Sequence, residues 1–295
     1  MVFIEWTTTP SSTTKVGTEM RHKITFSLLL MICLQPLSAL AKGEKECKDL
    51  PSYAQLKEAL DSAVAAETSG LNLHMWATIV DRDGIVCAIA FSGTDRGAQW
   101  PGSRVISAQK ANTANSFSLD SSSSSAGSGM SSGLALSTAN LYSAVQPGGS
   151  LFGLQESNPV ATADAYKGPS DNFGQSNDPL VGEKSGGVNV FGGGLGLYAR
   201  VQGGPGKIVG GVGVSGDTSC ADHNIAWRVR SLLKLDYLKL VPGPASLFAG
   251  DPTHPDNIIF DIAANPFGGT GISPSGFGHP GCFNTAGSAT LPPVR

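Results

Sequence analysis

The chain has 295 residues, and its 20 lysines and arginines against 23 aspartates and glutamates give a formal net charge of −3 at pH 7. Because no large basic field is present, binding to nucleic acid or to an anionic membrane surface is not expected. Charged residues make up only 15% and glycines number 38, which is typical of a compact exported protein with many tight turns.

The N-terminal region has the organisation of a secretory signal peptide. Within residues 20–41, a basic start precedes the apolar run 24–34 and an Ala-Leu-Ala cleavage motif at 39–41. The apolar run is too short to span a bilayer, so no stable membrane anchor is expected. Residues 1–19 precede a second start methionine and are interpreted as dispensable. The mature chain is therefore predicted to be periplasmic or secreted.

Residues 42–240 contain the segments that can form a core, beginning with a helix and a β-hairpin. Ser52 and Gln55 fit a capping box at the start of the first predicted helix. Two apolar, β-rich runs at 75–80 and 85–91 are separated by an Asp-Arg-Asp-Gly turn. This turn chemistry predicts an antiparallel strand pair.

The next segments alternate between helices and strands, with a long loop between them. Spacings of three and four residues place Lys110 and Thr113 on one face of the second predicted helix. The last strong helix begins at Ser219, with Asp222 in a capping-box position. In chain order, these predicted elements are a helix at 103–117, a Ser/Gly-rich loop at 118–136, a short helix at 138–145, strands at 188–191, 195–201 and 207–214, and the last helix.

Together these elements predict an α+β fold, in which a five-stranded antiparallel sheet is flanked by helices. Residues 241–295 hold one apolar stretch among prolines and glycines. They are interpreted as a Pro/Gly-rich C-terminal extension packed on the domain. One domain is therefore expected between the signal peptide and this extension.

Four cysteines remain after the predicted cleavage, and an oxidising compartment would allow them to pair. Cys220 and Cys282 both lie beside turn-rich sequence, so a disulfide between them is favoured. Cys47 would then be free to pair with Cys87. Cys87 also fits a small core residue, because it lies within an apolar run.

Several motifs with chemical meaning have simpler structural interpretations. The glycines of 211–216 have the G-x-G-x-x-G spacing of dinucleotide sites, but hairpins precede them, so a close-packed turn is favoured. Asp251, His254 and Asp256 could bind a metal, yet the prolines between them favour a rigid turn. His279 is interpreted as part of a disulfide-tethered turn. No zinc motif and no complete catalytic constellation is recognised, which leaves enzymatic activity open.

Five short motifs occur in an order that is typical of one known family. They are Asp81-Arg82-Asp83-Gly84, Gly97-Ala98 followed by Lys110-Ala111-Asn112-Thr113-Ala114, Gln146-Pro147-Gly148-Gly149, Gly186-Gly187-Val188, and the glycines from Gly210 to Gly216. In this order the chain resembles the GlcG/HbpS family of haem-binding (haem-degrading, DUF336) domains. The resemblance implies a profilin-like layer of antiparallel sheet and helices, assembly into homo-oligomers, and haem or a related tetrapyrrole as the ligand.

The resemblance also implies which residues contact the ligand. In haem-binding relatives the K-A-x-T-A helix lies beside the ligand, so Lys110 is expected to pair with a propionate and Thr113 to approach the iron. Arg96 is expected nearby. His223 and His74 are the candidate axial ligands, because neutral imidazole binds iron. Each residue also has a simpler interpretation, namely packing for Thr113 and the histidines, and a stem that covers an aromatic ring for Lys110.

The sequence therefore predicts an exported haem-binding protein that sequesters, senses or slowly degrades haem. The alternative is a cofactor-free, oligomeric accessory or structural protein of the periplasm, whose sheet and helices serve subunit contacts. An enzyme that acts on a small hydroxy acid is a third hypothesis, without catalytic residues to support it.

Overall fold

The computed structural model describes residues 47–123, 132–269, 271–283 and 290–295. The predicted N-terminal segments 1–19 and 20–41 lie outside these ranges, and so does the middle of the Ser/Gly-rich loop. Among the described residues, no helix combines the length and the apolar character needed to cross a membrane.

The described residues contain six strands: β1 (Trp76–Asp81), β2 (Val86–Phe91), β3 (Leu119–Asp120), β4 (Gly133–Leu134), β5 (Gly194–Ala199) and β6 (Lys207–Ser215). Four of them form an antiparallel sheet in the order β2-β1-β6-β5. The short strands β3 and β4 pair separately, at the two ends of the Ser/Gly-rich loop. The predicted class, an antiparallel sheet combined with helices, is confirmed.

The hairpin between β1 and β2 follows from its turn chemistry. Gly84 has a φ of 79°, in the left-handed region that glycine enters without steric cost. The carboxylate of Asp81 accepts hydrogen bonds from the amides of Asp83 at 3.0 Å and Ile85 at 2.8 Å. These contacts close the turn, and the predicted antiparallel pair is confirmed.

The prediction of a fifth strand at 188–191 is wrong, because these residues do not pair in the sheet. The amide of Asn189 donates to the hydroxyl of Thr113 at 2.9 Å, and the side chain of Asn112 donates to the Gly187 carbonyl at 2.9 Å. Side chains of a helix therefore provide hydrogen-bond partners that a neighbouring strand would otherwise provide.

Five α-helices occur in the described residues: α1 (Tyr53–Ala65), α2 (Ser103–Phe117), α3 (Thr162–Ala165), α4 (Ser219–Leu232) and α5 (Pro244–Phe248). The bounds predicted for α2 are confirmed, and the predicted capping box of Ser52 and Gln55 opens α1. The short helix predicted at 138–145 is replaced by two 3₁₀ turns at 139–141 and 143–145.

Helices α1 and α4 pack on one face of the main sheet, and α2 packs on the other. Successive side chains of a strand point to opposite faces of the sheet. In β1, Ala77 and Ile79 therefore point toward α1 and α4, whereas Trp76 and Val80 point toward α2. All residues of β1 are buried. The central part of the sheet is therefore covered on both faces.

Two glycines of β6 explain how closely α2 lies on the sheet. A Cβ atom at Gly211 would lie 2.3 Å from the carbonyl oxygen of Ala111, and one at Gly213 would lie 1.9 Å from that of Ser107. A side chain at either position would overlap the helix backbone. The first two glycines of the G-x-G-x-x-G spacing therefore allow a helix to pack closely on a strand.

The C-terminal residues 241–295 contact the domain through several buried side chains. Ile258 packs with Cys220, and Leu291 packs in the core between α1 and α4. The indole of Trp227 donates a hydrogen bond to a carbonyl of this segment at 2.9 Å. The described part of the segment thus contributes to the core, while the boundary at residue 240 stays a prediction.

Candidate functional site

Lys110 projects from α2 into the core, where its charge is paired. The ammonium donates to the carboxylate of Asp222 at 2.6 Å and to the carbonyl of Val214 at 3.1 Å, and it lies 3.9 Å from the centroid of the Phe191 ring. The side chain is fully buried, so it offers no exposed charge to a propionate in this structure. A ligand contact by Lys110 stays a prediction, and it would require this pair to open.

Asp222 is the partner of Lys110 that the sequence did not reveal. Its predicted capping role in α4 is wrong, because the hydroxyl of Thr218 accepts the hydrogen bond from the Ala221 amide instead. Asp222 also accepts a hydrogen bond from the Asp217 amide at 2.9 Å. Burial raises the pKa of Asp222 to about 6 and lowers the pKa of Lys110, whereas the charge of each partner opposes the other's shift.

Thr113 holds the extended segment 188–191 against α2. Its buried hydroxyl donates to the carbonyl of Gln109 at 2.7 Å and accepts from the amide of Asn189 at 2.9 Å. The single donor of the hydroxyl is therefore already used inside the protein. The expected approach of Thr113 to an iron atom stays a prediction.

His223 lies in α4 and is fully buried. Neither ring nitrogen has a hydrogen-bond partner at normal geometry, and the side chain of Asn257 makes only a weaker polar contact. Burial lowers the pKa of His223 to about 3, although the carboxylate of Asp256 opposes this shift. The ring is therefore neutral near pH 7. Buried polar groups without a hydrogen bond are rare in proteins. An iron atom could reach this imidazole only if the surrounding core opened, because His223 has no contact with solvent.

Arg96 lines an exposed cleft, and His74 contacts one residue of its wall. Arg96 and Phe91 line this cleft, whose volume is about 270 Å³, and the ring of His74 meets the ring of Phe91 edge-on with 5.9 Å between centroids. Arg96 donates to the hydroxyl of Ser170 at 2.8 Å and to the carboxylate of Asp171 at 3.3 Å. These contacts are exposed and contribute little to stability. The cleft therefore offers one guanidinium beside the carboxylates of Asp95 and Asp171, while Phe91 is only 3% exposed and the imidazole of His74 lies outside the lining.

A larger cavity, of about 720 Å³, lies between the Gln146–Gly149 motif and the C-terminal segment. Tyr142 and Phe277 contribute aromatic surface to it, and no charged side chain lines it among the residues that the structure describes. Its walls come from distant parts of the chain. Sequence reasoning therefore missed this cavity, although the Gln-Pro-Gly-Gly motif marks one of its walls.

His279 borders the larger cavity through two neighbours that line it, Tyr142 and Pro280. The Tyr142 ring lies 5.3 Å from the imidazole, and the Pro280 carbonyl lies 2.8 Å from Nδ1. Because a carbonyl only accepts hydrogen bonds, Nδ1 carries the proton of the neutral ring and Nε2 accepts. The hydroxyl of Ser219 lies 2.8 Å from Nε2 and donates to it. Burial lowers the pKa of His279 below its usual 6.5, which favours this neutral form.

Both expected disulfides are present, joining Cys47 to Cys87 and Cys220 to Cys282. The second disulfide links the start of α4 to the turn that carries His279. This arrangement agrees with the interpretation of that turn as disulfide-tethered. Sequence reasoning did not find the contact between this turn and Ser219.

The metal cluster considered for Asp251, His254 and Asp256 does not form. Nδ1 of His254 lies 2.9 Å from the Asp251 carboxylate, whereas Asp256 forms a buried ion pair with Arg230 at 2.6 Å. Across the described ranges, groups of three side chains suited to a metal occur only at the two disulfides, whose sulfur atoms are already bonded.

The fold defines a mixed domain with helices on both faces of an antiparallel sheet, and sequence comparison gives its family. The family model described as haem degrading protein HbpS-like matches residues 52–230, which is more than half of the chain. The chain therefore belongs to the HbpS-like family, and the resemblance carried by its motifs is confirmed.

Two solved structures are similar to the chain at low identity. The crystal structure of Klebsiella pneumoniae protein ORFY, a DUF336 protein, is 23% identical with a TM-score of 0.38, and the match covers 61% of this chain and 86% of that one. The structure of a PduOC:heme complex is 21% identical with a TM-score of 0.36, covering 61% of this chain and 89% of that one. No curated protein matches the chain.

Proposed function

We propose that this chain binds haem at the cleft lined by Arg96, with His74 as an axial ligand of the iron. The proposal rests on Arg96, a cation in the cleft that can pair with a propionate. His74 does not line the cleft, but its ring contacts Phe91 in the cleft wall and could provide a ligand for the iron. Phe91 itself is 3% exposed, and the carboxylates of Asp95 and Asp171 also line the cleft, so a flat apolar surface for the ring is not formed in this structure.

Membership of a family described as haem-degrading supports haem as the ligand. Bound haem would supply a redox-active iron, and the chain's own residues would hold it, Arg96 at a propionate and His74 at an axial position. Sequestration follows from binding alone, whereas sensing or slow degradation would need a further partner or reaction. Lys110 and Thr113 would keep their internal hydrogen bonds, unless the ion pair of Lys110 and Asp222 opens.

The size of the cleft predicts how haem would be seated. Its volume of about 270 Å³ is slightly below the roughly 300–1,000 Å³ of enclosed ligand pockets, so the haem would be partly exposed. A second copy of the chain would cover the exposed edge, which fits the homo-oligomer that we propose. Size-exclusion chromatography with and without haem measures this assembly, and a monomer under both conditions would contradict it.

We also propose that the mature protein is exported to the periplasm or secreted. The signal-peptide pattern at 20–41 supports this location, and so do the two disulfides, which persist in oxidising compartments. Mass spectrometry of the exported protein is expected to find an N-terminus at Lys42. A chain that keeps residues 20–41 and stays in the cytoplasm would contradict the proposal.

A haem titration followed by absorbance tests the binding site. The wild-type protein is expected to show saturable binding, which Arg96→Ala weakens, while His74→Ala changes the spectrum of the bound haem. The matched controls are Arg200→Ala, an exposed residue directly after the opposite edge strand β5, and His254→Ala. Both controls are expected to bind haem as the wild type does.

Other outcomes of this titration point to other sites or functions. Loss of binding in Tyr142→Phe alone would place the haem in the larger cavity, and a changed spectrum in His223→Gln alone would make His223 the axial ligand. Either result contradicts the proposed cleft. No haem binding by the wild type would favour the alternative function, a cofactor-free accessory protein. The hydrogen bonds that Lys110 and Thr113 form inside the protein are also compatible with this alternative.

A further inference from the structure

The hydroxyl of Ser219 is held between a hydrogen-bond donor and an acceptor. It accepts from the Gly192 amide at 2.7 Å and donates to Nε2 of His279 at 2.8 Å. The Pro280 carbonyl, 2.8 Å from Nδ1, fixes the tautomer in which Nε2 is free to accept a proton. A serine, a neutral imidazole and a group that orients the imidazole form the arrangement that activates serine nucleophiles.

Backbone amides at the start of α4 lie beside this serine. Thr218 provides acceptors for the amides of Ala221 and Asp222. Of the first amides of α4, those of Ser219 and Cys220 are left without an acceptor among the described protein atoms. Amides at a helix N-terminus carry partial positive charge and stabilise an oxyanion that develops next to them.

A cavity lies on the side of His279 that faces Tyr142, although neither His279 nor Ser219 lines it directly. The 720 Å³ cavity is lined by Tyr142 and by Pro280, and both contact His279. Since the described lining carries no charged side chain, the cavity suits a neutral molecule better than an anion. Ser219 itself is partly exposed.

We propose that Ser219 and His279 catalyse acyl transfer from small neutral esters that reach the partly exposed Ser219. Oγ of Ser219 attacks the ester carbonyl carbon, and its proton passes to Nε2 of His279. The proton then moves to the alcohol oxygen as the carbon–oxygen bond breaks, which leaves an acyl-serine. Water attacks the acyl carbon and gives a proton to Nε2, and Ser219 recovers this proton as the carboxylic acid leaves.

The Cys220–Cys282 disulfide positions this pair. It joins the residue after Ser219 to the turn that carries His279, so the two reacting groups are held by a covalent link. Replacing both of these cysteines by serine is expected to lower reactivity at Ser219. The matched control replaces both cysteines of the other disulfide, which lies elsewhere in the fold and is expected to leave reactivity unchanged.

A fluorophosphonate probe, which reacts with activated serines, tests the proposal on the purified full-length protein. The probe is expected to label the wild type, and peptide mass spectrometry to place the adduct on Ser219. His279→Gln is expected to slow labelling by about 10²-fold or more, which is the usual contribution of a general base. Ser219→Ala abolishes labelling, and Ser157→Ala, an exposed serine far along the chain, keeps it.

Two results would overturn the proposal. A wild-type protein that the probe does not label at Ser219 would show that the hydrogen bonds of Ser219 are only structural, whatever the variants do. Undiminished labelling of a His279→Gln variant with an unchanged circular dichroism spectrum would exclude His279 as the base. Hydrolysis of p-nitrophenyl butyrate by the wild type but not by Ser219→Ala would support it. None of these measurements involves haem, so they are independent of the function proposed above.

Discussion

Lowering the pH below 6.5 should destabilise this fold, because His223 is buried in its neutral form. A histidine in an unfolded chain has a pKa near 6.5, whereas burial lowers the pKa of His223 to about 3 in the folded protein. Between these two values the unfolded state binds one more proton than the folded state, so stability falls as the pH falls. Well above pH 6.5 the ring is neutral in both states, and His223 then adds no pH dependence.

The expected magnitude follows from the difference between the two pKa values. Each pH unit in this window contributes about 1.4 kcal/mol, so lowering the pH from 6.5 to 4.5 should cost about 2–3 kcal/mol. This loss is a large part of the roughly 5–15 kcal/mol that stabilises an ordinary domain. Urea unfolding of the wild type and of His223→Gln at a series of pH values measures it.

The free energy of unfolding is plotted against pH for the wild type and for His223→Gln. The difference between the two slopes isolates the effect of His223 from that of the carboxylates that titrate in the same pH range. His223→Gln should lose about 1 kcal/mol less per pH unit than the wild type, because glutamine does not take up a proton. Equal slopes in the wild type and in His223→Gln would refute the reasoning, since they require a folded state that protonates His223 as easily as the unfolded chain does.

Two changes elsewhere test the packing by urea unfolding. Arg230→Met should lower the free energy of unfolding by about 3–5 kcal/mol, because Asp256 would be left charged and buried. Replacing both Arg230 and Asp256 by apolar residues should recover most of this loss. A double variant that is as unstable as Arg230→Met would contradict this account. Gly213→Ala should cost about 3 kcal/mol or more, since its Cβ would lie 1.9 Å from the Ser107 carbonyl. Gly204→Ala, whose nearest neighbouring atom lies at 3.6 Å, should be nearly neutral, and a similar loss in both glycine variants would exclude the proposed overlap.

Elements whose signals are local were predicted well from the sequence. The β1–β2 hairpin depends on Asp81 and Gly84, and the start of α1 depends on Ser52 and Gln55, so each signal lies within a few positions. The strand predicted at 188–191 shows where this reasoning fails. Its composition favours a strand, but its hydrogen-bond partners include side chains of α2, which only the tertiary structure brings close.

Side-chain partners were harder to predict than secondary structure. The pattern of α2 predicted that Lys110 and Thr113 share one face, and the structure shows that both are buried. The pattern could not identify Asp222, which is 112 positions from Lys110. Ser219 and His279 are 60 positions apart, and no local motif connects them. Their contact depends on the packing of the C-terminal segment against α4.

The family motifs of this chain have structural roles that the protein satisfies internally. Asp81 closes a turn, and Gly213 leaves room for the backbone of α2 to pack on the sheet. Lys110 neutralises a buried carboxylate. Replacing such a residue is expected to lower the free energy of unfolding, and any loss of haem binding would then include the loss of folded protein. The polar contacts of Arg96 are exposed, and His74 is itself exposed and touches the core at the ring of Phe91, so their replacement should disturb the core less. A ligand role for Lys110 or Thr113 is therefore established only if a variant with wild-type stability loses binding.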